Sequence, residues 1–241
     1  MPQQHIVSSY DEELNRLNQL IAEMGGLAES QLSAAVQALA RRDAVLAGSV
    51  VEQDSRIDRI ETEVDAFAVR LLALRQPMAV DLRNIVSAIR IASDIERIAD
   101  YAANVAKRTL ALAQMPAAAP ARSIPRMSHP VEAMIKDVLD AYIHRDVEKA
   151  LDVWRRDGEV DDIYTSLFRE LLTYMMEDPR NIGACTHLLF IAKNIERIGD
   201  HVTNIAETIH YLVRGERLAE VRPKNDTSNF EVLAAPGGAA E

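Results

Sequence analysis

The sequence predicts an all-α chain of six helices forming two tandem, related three-helix bundles. Three observations carry this. Hydrophobic residues fill 48% of the 241 positions but aromatics only 5%, so the core is built from Ala, Leu, Ile and Val, a mix that favours helix over sheet. Apolar residues recur at helical spacing through long segments bounded by prolines. Much of the first half then reappears, in order, in the second.

The first helix is expected over 8–41, opening in SSYDEELNRLNQL, with Gly25-Gly26 as a candidate kink. The second and third, over 43–74 and 79–114, are separated at LRQPMAV, where Pro77 fits a tight turn between antiparallel helices. Four of the nine prolines fall in MPAAAPARSIPRMSHP, which reads as a Pro/Ala linker. Helices over 128–145, 146–176 and 180–213 repeat the plan, with Pro179 in the second break, MEDPRNI. ALARRDAVLAGSVVEQDSRID from Ala38 aligns with AYIHRDVEKALDVWRRDGEVD from Ala141 at an offset of about 103, and the third helices align at about 100. Arg42-Asp43 and Arg145-Asp146 fall where one helix ends and the next is capped. The expected organisation is therefore a first repeat over 1–114, a linker over 115–127 and a second repeat over 128–213. A tail over 214–241, rich in charge, Pro, Gly and Ala, is expected to be disordered.

The net charge of −10 argues against a nucleic-acid binder, which needs a basic face to displace counterions from phosphates. An acidic surface is also a poor match for anionic lipid. Cys185 is the only cysteine, so neither an intrachain disulfide nor a thiolate metal cluster can form. No signal peptide is visible, and the longest apolar runs, such as LLFIA from Leu188, are too short to span a bilayer. The expectation is a cytosolic protein without direct membrane insertion.

The candidate site lies in a repeated pattern. DIERIADYAANVAKR from Asp94 and NIERIGDHVTNIAET from Asn194 each place Glu, Asp and Asn four residues apart: Glu96, Asp100 and Asn104, then Glu196, Asp200 and Asn204. At about 100° per residue these form a stripe nearly opposite the apolar arc of Ile91, Ile95, Ile98 and Val105, and of Ile191, Ile195, Ile198 and Ile205. The stripe is expected on an outer face or groove. The preceding helix has its own stripe, Asp54, Asp58, Glu61 and Asp65; the second copy keeps Asp157 and Asp161 but has Tyr164 and Phe168 in the last two places. Counting residues from each turn sets Asp58 level with Glu96 and Asp54 with Asp100, then Asp161 with Glu196 and Asp157 with Asp200. Four carboxylates in each half repel one another unless a cation or basic side chains offset them. Arg97, Lys107 and Arg108 are available to the first cluster, Lys193 and Arg197 to the second. A solvated face is the bland alternative; all-oxygen ligation of a hard cation, or of iron held by carboxylates, is the functional one.

With ERIGDHVTNIAE the chain resembles the PhoU family, from about His5 to Val213. PMAVDLRNIVSAIRIASDIERIAD, QDSRID and EDPRNIGACTHLLFIAKNIERIGDHVTNIAE carry the likeness. The resemblance implies two side-by-side three-helix bundles whose Glu-x-x-x-Asp motifs hold metal clusters. Glu96 and Asp100 would belong to one, Glu196 and Asp200 to the other. Asp54, Asp58, Asp157 and Asp161 join them by level, and Asn104 and Asn204 are weaker candidates. The metal would be iron, manganese, magnesium or zinc. The implied role is negative regulation of phosphate uptake and of the phosphate-starvation two-component response. In that role the protein is a cytoplasmic adaptor, peripheral to the inner face of the membrane. Its expected partners are the ATPase subunit of the phosphate ABC transporter, the sensor histidine kinase and a second copy in a homodimer.

Three other readings compete with this one. A di-iron oxidase uses Glu-x-x-His, whereas Ala99 and Gly199 stand three residues after Glu96 and Glu196, so no enzyme is expected. A metal-storage or metal-dependent helical-bundle protein is the alternative. A purely structural coiled coil is disfavoured because the breaks interrupt any continuous heptad seam. Trp154, aligned with Val51, is expected in the core.

Overall fold

The computed structural model describes residues 2–116, 119–220 and 222, and among these there is helix and turn but no strand. The first repeat consists of α1 (Pro2–Arg41), α2 (Ala44–Arg75) and α3 (Val80–Ala113). The second consists of α4 (Ile124–His144), α5 (Val147–Arg155), α6 (Asp157–Glu177) and α7 (Ile182–Arg214). Within each repeat the helices pack on one another, and the last helices, α3 and α7, pack together as the junction between repeats. Fully buried aliphatics line both: Ile91, Ala92, Ala102 and Val105 on α3, and Ile191, Ile195, Ile198, Val202 and Ile205 on α7. Among the described residues no helix is long and apolar enough to cross a membrane.

Both Arg-Asp pairs end one helix and start the next, as expected. Arg42 and Arg145 each adopt φ 55°, the left-handed conformation that closes a helix C-terminus. Asp43 then accepts hydrogen bonds from Val45 and Leu46 N–H, and Asp146 from Lys149 N–H. The arginine side chains diverge. Arg42 donates to the carbonyl oxygens of Leu112, Ala113 and Met115 at the end of its own repeat's α3. Arg145 reaches the other repeat, donating to Asn18 Oδ1 at 3.1 Å and Asn84 Oδ1 at 3.0 Å.

Four expectations change. Gly25-Gly26 lies inside a continuous α1, and Gly25 serves a close approach: a Cβ there would stand 2.3 Å from Leu139 Cδ2 of α4. The proline linker ends at 123 rather than at 127. A 3-10 turn over Ala119–Ser123 leads into α4, which takes Pro125 into its first turn and runs on through Pro130. The helix expected over 146–176 is divided at Arg156, where i+3 bonding to the carbonyl oxygen of Val153 and from the N–H of Glu159 tightens the turn just before the poor helix former Gly158. The tail expected to be disordered from 214 instead has Arg214 in α7, Gly215 (φ 81°) closing the helix, and Leu218 packed on the core. Residues 221 and 223–241 lie outside the described set.

Trp154 is buried, and its Nε1 donates to Glu207 Oε1 at 3.0 Å. A group of large apolar side chains at the α2–α3 turn, Leu74, Met78 and Val80, is exposed, Met78 by 80%.

Candidate metal centre

In the first repeat, α2 brings Asp54, Asp58 and Glu61 against Glu96 and Asp100 of α3. Glu96 has its carboxyl pushed up to about 7, first by desolvation and then by the charge of Asp100, with Glu61 and Asp58 adding and Arg97 opposing. Asp54 is also raised, again by desolvation first; Asp100 and Asp58 add to this, while a hydrogen bond from Gln31 and the charge of Lys107 oppose it. Glu61, raised by desolvation and by Asp65 and Asp58, therefore belongs to the cluster although it was outside the expected ligand set. The level matching of α2 with α3 thus describes a real neighbourhood. Arg97 lies across it, with Nε 3.5 Å from Glu96 Oε2 and Nη1 3.2 Å from Asp100 Oδ2.

The second repeat brings together Asp157 and Asp161 of α6 with Glu196 and Asp200 of α7, but under different cover. The α7 stripe expected on an outer face or groove is withdrawn at Glu196, which is 5% exposed, and the acids of α6 are buried with it, Asp157 at 2% and Asp161 at 3%. A helical wheel locates a residue on its own helix and says nothing of what neighbouring segments lay over it. Glu196 is pushed up to about 7, chiefly by desolvation, with Asp200 and Asp161 adding and Lys193 opposing. Lys193 Nζ stands 2.9 Å from Glu196 Oε1 and 4.9 Å from the Tyr164 ring centre, while Glu196 Oε2 is buried with no hydrogen-bond partner. Arg222, beyond α7, donates from Nε to Asp157 Oδ2 at 2.8 Å and from Nη2 to Asp200 Oδ1 at 2.6 Å.

Other expected members stand elsewhere. Arg108 lies 4.0 Å from the Phe190 ring centre and Arg197 5.7 Å from that of Tyr101. Asn204 donates to Asp94 Oδ1 at 3.3 Å, where His201 Nδ1 also sits at 2.8 Å. Asn104 lines a recess with Lys107, Arg108, His187 and Asn194. Both asparagines therefore serve the α3–α7 junction rather than the acid clusters, because a further 40° of rotation carries them off the Glu-Asp line towards the partner helix. Asp94 is tied to α7, which gives its difference from Asn194 a packing role.

The donor set suits a hard cation: it is all oxygen, and one buried carboxylate oxygen lacks a partner. As the side chains stand, no group of three His, Cys, Asp or Glu among the described residues is placed to hold an ion. Arg97 in the first cluster, and Lys193 and Arg222 in the second, are bonded to the carboxylates. Binding would therefore require these basic side chains to give way and the carboxylates to turn.

Comparison with known proteins agrees with the duplicated plan. The PhoU domain matches twice, over 21–109 and 124–209. A Caulobacter vibrioides protein named phosphate-specific transport system accessory protein PhoU homolog is 54% identical over 224 residues, covering 92% of this chain and 97% of that protein. A Rhizobium meliloti protein of the same name is 51% identical, covering 95% and 97%. The crystal structure of PhoU from Pseudomonas aeruginosa superposes with a TM-score of 0.82 at 40% identity, covering 86% of this chain and all of that one. The phosphate transport system regulatory protein PhoU from Streptococcus pneumoniae gives 0.81 at 31% identity, covering 88% of this chain and all of that one. Two matched repeats, helices in the same places and identity along nearly the whole length lead to one conclusion: the chain belongs to the PhoU family.

Proposed function

We propose that this chain is an accessory protein of a phosphate transport system that represses phosphate uptake and the phosphate-starvation response. It acts as a cytoplasmic adaptor between the transporter's ATPase subunit and the sensor histidine kinase, as a homodimer, and it is not an enzyme. The observation that carries this reading is near full-length identity to proteins named phosphate-specific transport system accessory proteins. The packed α3–α7 junction suits an adaptor because it holds two helical faces in fixed relation. The exposed Leu74, Met78 and Val80 at the α2–α3 turn offer an apolar contact for a partner.

In the same reading the two acid clusters hold metal ions. Asp54, Asp58, Glu61, Glu96 and Asp100 would form one site, and Asp157, Asp161, Glu196 and Asp200 the other. A bound cation would cancel carboxylate repulsion and tie α2 to α3, or α6 to α7. Glu96 and Glu196, held protonated more readily than ordinary glutamates, would release their protons on binding.

Deletion of the gene in its host, with alkaline phosphatase measured in phosphate-rich medium, tests the regulatory role. Derepression on deletion and repression on return of the wild-type gene are expected. Phosphatase that stays low after deletion, in a host that raises it on phosphate starvation, would refute the reading. Complementation with Glu96, Asp100, Glu196 and Asp200 all changed to Ala then reports whether the clusters serve repression.

A further inference from the structure

The two clusters differ in how their buried aspartates are satisfied. In the first, Gln31 of α1 donates from Nε2 to Asp54 Oδ1 at 3.0 Å and lies 3.4 Å from the Ala99 carbonyl oxygen. The offset of 103 that aligns Asp54 with Asp157 places Met134 where Gln31 stands. The alignment is sound here, because 31–39 and 134–142 follow almost the same order of buried and exposed positions. Met134 is fully buried and has no N–H to give. Asp157 has thus lost the donor its counterpart uses, yet it is among the most buried acids of the chain. A carboxylate cannot remain there unpaired.

Arg222 meets that need from outside the bundle. After Gly215 closes α7 with its N–H on the Tyr211 carbonyl oxygen at 2.8 Å, the chain turns back across the helix. Leu218 packs on the core, and the Arg222 side chain, 15% exposed, joins Asp157 of α6 to Asp200 of α7. A guanidinium withdrawn this far from water and bonded to two carboxylates is a stronger contact than an exposed surface pair. Both oxygens it takes belong to side chains of the candidate second metal site.

We infer that Arg222 is a built-in counter-ion for the second cluster, seated where a metal ion would bind, so that the tail and a metal compete for Asp157 and Asp200. The first cluster has Gln31 instead, a neutral donor that leaves the negative charge of Asp54 available. The two sites are therefore unequal: the first need displace only Arg97, a half-exposed side chain of its own helix, whereas the second takes a cation only as the more deeply buried Arg222 lifts away. This inference rests on the metal-binding reading above.

The test uses the full chain, stripped with a chelator and titrated with Mn²⁺ by equilibrium dialysis, with Arg222→Ala and Arg222→Gln beside the wild type. Arg222→Gln removes the charge but keeps an N–H donor, guarding against misfolding around an unpaired Asp157. Sites are assigned with Glu96→Ala/Asp100→Ala and Glu196→Ala/Asp200→Ala pairs. Two classes of site are expected in the wild type, the weaker lost with the second pair. Both Arg222 variants should tighten that weaker class by about ten- to a hundredfold, the span of one to two orders that a charge-assisted bond is worth. Hydrogen exchange of 216–220 should quicken when wild type is saturated with Mn²⁺. Binding at the second pair that neither Arg222 variant changes would overturn the competition and leave the metal reading intact. No Mn²⁺ bound by any variant would overturn both.

Discussion

Two adjacent glycines in α1 make a sharp test of how the repeats are held together. Gly26 has open space around it, whereas a Cβ on Gly25 would stand 2.3, 2.7 and 3.0 Å from Leu139 Cδ2, Cδ1 and Cγ. Alanine at Gly26 should stabilise the helix by about 0.5–1 kcal/mol, because it removes backbone freedom from the unfolded chain without meeting anything. The same change at Gly25 gains that amount and then loses about 1–3 kcal/mol to overpacking, because Leu139 is buried and has little room to retreat. The two variants should therefore differ by about 2 kcal/mol. Urea unfolding, with m-values compared to confirm a common transition, measures this directly. Leu139→Ala should cost about 2–5 kcal/mol alone. Added to Gly25→Ala it should cost less than the sum of the two, because the shortened side chain removes the collision. If Gly25→Ala stabilises as much as Gly26→Ala, the close approach of α1 to α4 is not what the glycine serves.

Two further outcomes follow from the acid clusters. Gln31→Met, which gives the first repeat the residue of the second, should lower stability by about 1–3 kcal/mol, because Asp54 loses its amide donor; an unchanged urea midpoint would remove Gln31 from the account. In chelator, stability should fall as pH rises from about 4.5 towards 7. Glu96 and Glu196 bind protons more tightly folded than unfolded, so their contribution is complete below the unfolded value and lost through the folded one. The loss should be about 1–3 kcal/mol after allowance for solvent screening at Glu96. Replacing both by Gln should flatten the curve, and an equally steep curve in that variant would show that other groups set it.

The duplicated helices, their caps and the level pairing of acids were legible because each depends on periodicity or spacing within one or two neighbouring segments. Asp43 and Asp146 are capping residues on local grounds alone, and α2 meets α3 by residue count from a single turn. What escaped depends on a third body. The burial of Asp157, Asp161 and Glu196 comes from packing that no wheel of α6 or α7 represents. Asn104 and Asn204 continue the motif's spacing but face the opposite repeat. Prolines at 125 and 130 marked a linker by composition, yet the first fits a helix start and the second gives up one backbone bond to a helix that tertiary packing sustains. Arg222 lies in a stretch whose composition predicts disorder. One signal pointed to it: at the position aligned with Gln31 the second repeat has Met134, which leaves an aligned aspartate without a donor.

Arg42 and Arg145 began as the same place in a duplicated unit and now make opposite commitments. Arg42 clasps its own three helices, so the first half carries its fastening within itself. Arg145 fastens to Asn18 and Asn84, which exist only in the other half. The halves have therefore stopped being interchangeable parts. Two copies of the second joined head to tail would lack the asparagines that Arg145 grips, whereas two copies of the first would keep the Arg42 clasp in both. Duplication supplied the symmetry, and divergence has made the second unit a dependant of the first.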